Sequence, residues 1–364
     1  MKLNQLRFDR EADKEFVLEL RQRVKKYFNE KGINRYGNPG MWWKTFFMLL
    51  LYFVPYFIML SGFSSQFLVL LGLWLLMGLG MAGIGLSVMH DANHRAYSKN
   101  NRVNNILGYF LNLVGGHSLN WKIQHNILHH GFTNVEGYDE DIDAGKVLRL
   151  SPHKTRLKIH RWQHLYAWPL YGLMTLTWVI SKDFKDIFRY REMGLGALAG
   201  GSFRRMFTEL LIWKLLYFFY TIVLPILLLP VPWWYIPILF FAAHFVCGFI
   251  LATIFQTAHV MPTSRYPQPD NHDNIQNNWA VHQLQTTTNY SPKSRWFSWF
   301  IGGLNYQIEH HLFPNICHVH YKKISSIVQK TARDYNLPYN VQPTFLIALQ
   351  QHGQMLRKLG KQPA

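Results

Sequence analysis

Residues 45–90 read TFFMLLLYFVPYFIMLSGFSSQFLVLLGLWLLMGLGMAGIGLSVMH, a run without a single Lys, Arg, Asp or Glu. At about 20 residues per spanning helix, it is long enough to cross a bilayer core twice. Pro55 and the polar stretch 61–66 divide it, which predicts helices over 42–60 and 67–89 joined by a short tip. A second uncharged run, 215–261, is broken by Pro225, Pro230 and Pro232 and predicts helices over 210–229 and 233–258. Soluble cores seldom carry uncharged runs this long. The expected fold is therefore an all-α integral membrane protein with four transmembrane helices in two hairpins.

Charge supplies the topology. The chain has 364 residues and a net charge of +18, yet the two hairpin tips hold no Lys or Arg. Nearly all 38 basic residues lie before, between or after the hairpins. The positive-inside rule then puts both termini and residues 91–209 in the cytoplasm. Basic segments such as 21–26, 154–161 and 182–191 border apolar spans, as attraction to anionic lipid headgroups requires. No helix-turn-helix or zinc-finger pattern accompanies the charge, which argues against nucleic acid. Cys247 and Cys317 make neither a disulfide framework nor a thiolate metal site. Residues 1–41 are charged rather than apolar, so no cleavable signal is expected, and 13–30 predicts an amphipathic helix. The segment 165–180 is apolar but reads as interfacial or re-entrant, and 262–278 as a polar linker. The division expected is a cytoplasmic N-terminal segment over 1–41, a membrane domain over 42–340 and a cytoplasmic tail over 341–364.

Three histidine clusters sit just outside the apolar runs. H-D-A-N-H gives His90 and His94, H-N-I-L-H-H gives His125, His129 and His130, and Q-I-E-H-H gives Gln307, His310 and His311. Residues four apart share a helix face, so His90/His94 and His125/His129 can each aim two imidazoles at one place. Imidazole is the commonest protein metal ligand, and three such clusters on one side of the membrane point to metal. The charge-based topology does not depend on them, and it places all three in the cytoplasm.

In this order around two hairpins, the boxes resemble those of the membrane fatty acid desaturase family. The likeness extends through G-G-H-S-L-N-W at 115–121, Y-D-E-D-I-D at 138–143, R-W-Q-H-L-Y at 161–166, N-W-A-V-H-Q-L-Q-T-T-T-N-Y at 278–290 and H-H-L-F-P at 310–314. The glutamine opening the third box is similar to front-end acyl desaturases, many of which carry a fused b-type cytochrome domain marked by His-Pro-Gly-Gly. That motif is absent here. The resemblance implies a cytoplasmic helical cap holding a histidine-rich di-iron site, with His90, His94, His125, His129, His130, His259, His310 and His311 as ligands. Gln307 is then a weak ligand or a hydrogen-bond donor to one. His117, His282, Asp91 and Asp141 are further candidates, at the metal or beside its ligands. Asp139, Asp143 and Glu309 are expected to orient ligands; His153, His160, His164, His244, His272, His318, His320 and His352 are expected to serve packing and hydrogen bonding.

By the same resemblance the chain is a multi-pass protein of a bacterial inner membrane or the endoplasmic reticulum, with two iron ions and O2 as cosubstrate. Its partners are a fatty acyl chain on CoA or lipid, membrane lipids, and a separate electron donor such as a ferredoxin or b-type cytochrome with its reductase. A lipid hydroxylase or ketolase is the alternative, because the boxes report oxygen activation more directly than product. A metal transporter would carry ligands midway along its spans, whereas these lie at span ends.

Overall fold

A computed structural model describes residues 6–363, so residues 1–5 of the expected N-terminal segment and Ala364 lie outside the described residues. The described chain is mostly helical, and its only strands are two short parallel pairs, Arg7–Phe8 with Asn274–Ile275 and Asn289–Tyr290 with Val341–Gln342. It divides into two compact units. The first comprises Met1–Gly37, Gln124–Ala167 and Ile254–Ala364; the second comprises Asn38–Ile123 and Trp168–Thr253.

The second unit holds the apolar runs. Four helices are long and apolar enough to span a membrane: Pro39–Leu60, Phe67–Asn93, Phe203–Leu228 and Tyr235–His259, the last turn of which counts with the first unit. The four predicted spans are therefore present, each within a few residues except the third. That helix starts seven residues early because Ser202 caps it, accepting from the Arg205 N–H, and charged Arg204, Arg205 and Glu209 extend it. Large apolar side chains such as Trp43, Phe57, Leu68, Leu215 and Leu227 stay exposed on these helices, as lipid-facing surfaces require. Small residues let backbones approach. A Cβ on Gly80 would stand 2.7 Å from the Tyr52 nitrogen, and one on Gly78 would stand 2.6 Å from the Ala243 carbonyl oxygen. Gly80→Val should therefore push the first hairpin apart, costing about 1–3 kcal/mol and lowering the thermal unfolding midpoint in detergent. Two buried polar groups inside this unit are paired. Lys214 is buried, with its Nζ 2.6 Å from Asp183 Oδ2 and 2.6 Å from the Gly115 carbonyl. His244 lies 2.8 Å from the Tyr217 hydroxyl, the hydrogen-bonding role expected of it. The segment expected to be interfacial forms short helices, Gln163–Gly172 and Met174–Thr177, and is not among the four spans.

The first unit is built on an amphipathic pair. Helix Lys14–Lys31 buries Phe16, Leu20 and Val24 against Ile324, Val328 and Ala332 of helix Tyr321–Asp334. The final segment is not a free tail. Val341–Gln342 completes a strand pair, and helix Phe345–Lys361 buries His352, Met355, Leu356 and Leu359. Buried Arg149 donates to the carbonyls of Leu359 at 2.6 Å and Gln362 at 2.7 Å. Burial of that helix packs Phe345–Lys361 into the first unit.

Candidate metal centre

The second box does not sit on an ordinary helix. Lys122–His129 is a π-helical turn, followed by the short helix His130–Phe132. With hydrogen bonds running i to i+5, residues five apart come together. His125 therefore meets His130, Nε2 to Nε2 at 3.2 Å, as well as stacking on His129 at 5.4 Å between ring centroids. A spacing of four predicts only the second contact. The first box is preceded by a similar turn, Ile84–Met89, at the end of its span.

Three segments converge in the first unit. His310 and His311 come from the short helix Gln307–Leu312, and His259 is the last residue of its helix. His125, His129, His130, His259, His310 and His311 are all buried. One ring nitrogen each from His129, His259 and His311 lies within 4.8 Å of the other two, and the same holds for His130, His310 and His311. His311 belongs to both groups. His130 Nε2 is also 2.9 Å from His310 Nε2.

Acceptors on the far side of the rings set their tautomers. His129 Nδ1 faces the Asp139 carboxylate at 3.1 and 3.2 Å, His259 Nδ1 faces the Thr286 carbonyl at 3.3 Å, and His311 Nδ1 faces Gln283 Oε1 at 2.8 Å. Each of these groups only accepts, so Nδ1 carries the hydrogen and Nε2 is left for a cation. The Nε2 atoms of His129, His259 and His311 are buried without a hydrogen-bond partner. An unpaired polar atom in the interior is costly, and three together need a common occupant. Two nitrogens about 2.1 Å from one ion at right angles would stand about 3 Å apart. The nitrogen separations around His130 have that length. The residues fit a metal site with an almost wholly imidazole donor set.

Electrostatics agrees. Burial would lower His129, but the charges of Asp139 and Asp141 outweigh it and push the imidazole up to about 9, making it a strong donor. Burial would raise Asp139, yet His129 and the N–H groups of Asn134 and Asp141 hold it below the usual carboxylate range. Burial and the neighbouring imidazoles hold His311 well below its ordinary value, hence neutral.

The other candidates divide. Asp141 stands 3.4 Å from His129 Nδ1 and accepts from Gln124 at 2.7 Å. Gln307 is buried with its Nε2 unpartnered. His282 joins neither histidine group: its Nε2 donates to the Thr133 carbonyl at 2.8 Å, and burial lowers it to about 4. In the second unit, the His90 and His94 rings lie 4.8 Å apart with Asp91 Oδ1 3.8 Å from His90 Nδ1, and His117 is buried.

Two expected orienting acids have other partners. Asp143 pairs with Lys154 at 2.5 Å on the surface. Glu309 accepts from the Asn289 amide and the Tyr339 hydroxyl, each at 2.8 Å, because the short helix turns it away from the imidazoles. Burial pushes its carboxyl up to about 7 against those hydrogen bonds. Glu309→Ala would strand both donors at about 1–3 kcal/mol each, whereas Glu309→Gln keeps one acceptor. A clearly larger fall in unfolding midpoint for the alanine variant is expected in detergent.

Sequence reasoning missed Gln283, which holds His311 through Oε1 and the His130 carbonyl through Nε2 at 3.1 Å. It also missed Asn134, a left-handed residue whose amide ties the second box to the His259 carbonyl at 3.0 Å. The polar run containing Gln283 was visible, but nothing in its spacing said which face turns inward.

Comparison with known proteins comes to the same place. The profile of the fatty acid desaturase family matches residues 65–343. The chain is 38% identical over 354 residues to an acyl-lipid (8-3)-desaturase of Physcomitrium patens, covering 96% of this chain and 72% of that protein. It is 34% identical over 357 residues to an sn-1 linoleoyl-lipid 6-desaturase of Synechocystis sp., covering 94% of each. An acyl-lipid (8-3)-desaturase of Mortierella alpina is 31% identical over 359 residues, with 94% and 77% covered.

Proposed function

The chain belongs to the fatty acid desaturase family, and from that premise we propose that it is an acyl-lipid desaturase of front-end type whose histidines hold two iron ions. It is a fatty acyl desaturase and thus an oxidoreductase; lipid hydroxylation is not favoured. The observation that carries the metal reading is the set of three unpartnered imidazole nitrogens converging in the first unit. The two histidine groups, His129 with His259 and His130 with His310, suit two ions, the one free nitrogen of His311 going to either. By the family pattern of the first box, His90 and His94 complete the ligand set.

The overall reaction removes two hydrogens from adjacent methylenes: –CH2–CH2– plus O2, two electrons and two protons gives –CH=CH– and two waters. Iron, when bound, supplies the oxygen chemistry needed to break an unactivated C–H bond. The protein supplies position. Asp139, Thr286 and Gln283 keep their imidazoles turned inward, and burial of the six histidines excludes bulk water. Soluble di-iron bundles use several carboxylates, whereas this nearly neutral donor set would leave the ion pair more positive. The relatives' names support a lipid-linked acyl chain over acyl-CoA and a new double bond on the carboxyl side of an existing one. The distribution of basic residues supports a cytoplasmic site, and electrons come from a redox partner.

Expression in a host fed linoleic or eicosatrienoic acid, followed by gas chromatography–mass spectrometry of separated lipid classes, tests this reading. One additional cis double bond, nearer the carboxyl end and appearing first in glycerolipids, is expected. A hydroxylated product, or the new double bond appearing first in acyl-CoA, would contradict it.

A further inference from the structure

A groove of about 1080 Å³ in the first unit lies behind the second box and takes no part in the site described above. The N-terminal strand and first helix line it with Arg7, Arg10, Lys14 and Arg21, and Gly131, Phe132 and Trp279 line the side toward the second box. All four cations are exposed. Lys14 pairs with Glu11 at 2.9 Å, while Arg7, Arg10 and Arg21 enter no ion pair among the described residues. Asp9 is the one carboxylate on the lining, and its Oδ1 accepts the N–H groups of Glu11 and Ala12. Trp279 is half-buried, and its Nε1 donates to the His130 carbonyl at 3.0 Å. A conjugated ring thus runs from the groove to a residue whose imidazole lies 2.9 Å from that of His310.

We propose that this groove docks an acidic one-electron carrier protein, and that Trp279 and His130 form the route from it to the metal site. The inference rests on the desaturase reading, whose reaction consumes two electrons for each double bond. The carrier gives them up one at a time in two encounters and is oxidised at each; with two protons and the two acyl hydrogens they leave as water. Charge complementarity is what steers such short-lived redox encounters. The spread of the cations argues for a macromolecule. Lys14 and Arg21 are seven residues apart, about 10 Å along the helix. A lone phosphate needs donors that converge, which exposed side chains at that spacing do not provide. An anionic bilayer would use the same charges but gives no role to a ring bonded to His130.

The test is binding of a soluble plant-type two-iron ferredoxin, and of a soluble b-type cytochrome domain, to the purified full chain in detergent at low and high salt. For one of these carriers, Arg10→Glu/Arg21→Glu should weaken binding about tenfold and flatten its salt dependence. The ratio of carrier-driven turnover to the single turnover given by dithionite-reduced, desalted protein on adding O2 should fall with it. Trp279→Phe should lower that ratio by more than it weakens carrier binding. Unchanged affinity for both carriers in the charge-reversed variant, or no binding of either to the unaltered protein, would overturn the proposal. So would loss of binding to phosphatidylglycerol vesicles with carrier binding intact, which would make the groove a membrane contact. Absence of product when the dithionite-reduced, desalted unaltered protein meets O2 would count against the desaturase reading, while the binding arm reads the groove independently.

Discussion

Replacing His130 by alanine is expected to abolish product formation, by about a thousandfold or more, while the protein still inserts and folds. The expectation follows from where this ring sits. Its Nε2 lies 2.9 Å from His310 and 3.2 Å from His125, so on the proposed metal reading one truncation removes the nitrogen common to both contacts. Ligands of one centre act as a unit, and losing one costs nearly as much as losing several. The backbone carbonyl of His130, which accepts from Trp279 and Gln283, survives the substitution. His352→Ala is the matched control. His352 is equally buried, but its Nδ1 donates to the Val260 carbonyl at 2.9 Å and it joins no histidine group. That variant should lose stability yet keep its product per folded chain. Product by gas chromatography–mass spectrometry and metal per chain, both normalised to inserted protein, separate the two outcomes.

Asp139→Asn is expected to weaken metal binding and turnover by about 10–100-fold, the usual cost of losing the partner behind a ligating histidine. The change is nearly isosteric. The Asn134 and Asp141 N–H groups reach different carboxylate oxygens, at 2.8 and 2.9 Å, so the single asparagine oxygen keeps one of them and the loop loses the other. The carboxylate charge that orients His129 is lost, and an amide nitrogen facing Nδ1 favours the tautomer that spoils Nε2 as a donor. Asp143→Asn, which only releases Lys154 at the surface, should stay within about twofold, since exposed ion pairs contribute little. Competition with a chelator of known affinity measures the first effect.

The fold was largely legible because lipid imposes a simple code. Uncharged runs and the prolines and polar tips between them located all four spans, and only the third start was displaced, by a Ser202 cap inside charged sequence. The site was legible by residue type but not by geometry. A 3.6-residue period pairs His125 with His129, while the π-helical turn brings in His130 as well. The partners that fix the rings come from far along the chain: Gln283 meets His311, and Thr286 meets His259. Glu309, the acid nearest a box in sequence, turns instead toward Asn289 and Tyr339. Neighbourhood in sequence gathers the histidines but not their supports, because long-range contacts decide which acceptor faces each Nδ1.

The central claim is that the histidine cluster holds an iron pair on which desaturation depends. Iron content and lipid desaturation measured in the same purified preparations, across a series of partial iron loadings, test it most directly. The account predicts about two iron ions per chain at full activity, turnover that rises with iron, and X-ray absorption showing nitrogen and oxygen neighbours at about 2.1 Å without sulfur. Full activity in iron-free protein, or saturation at one ion per chain, would contradict it.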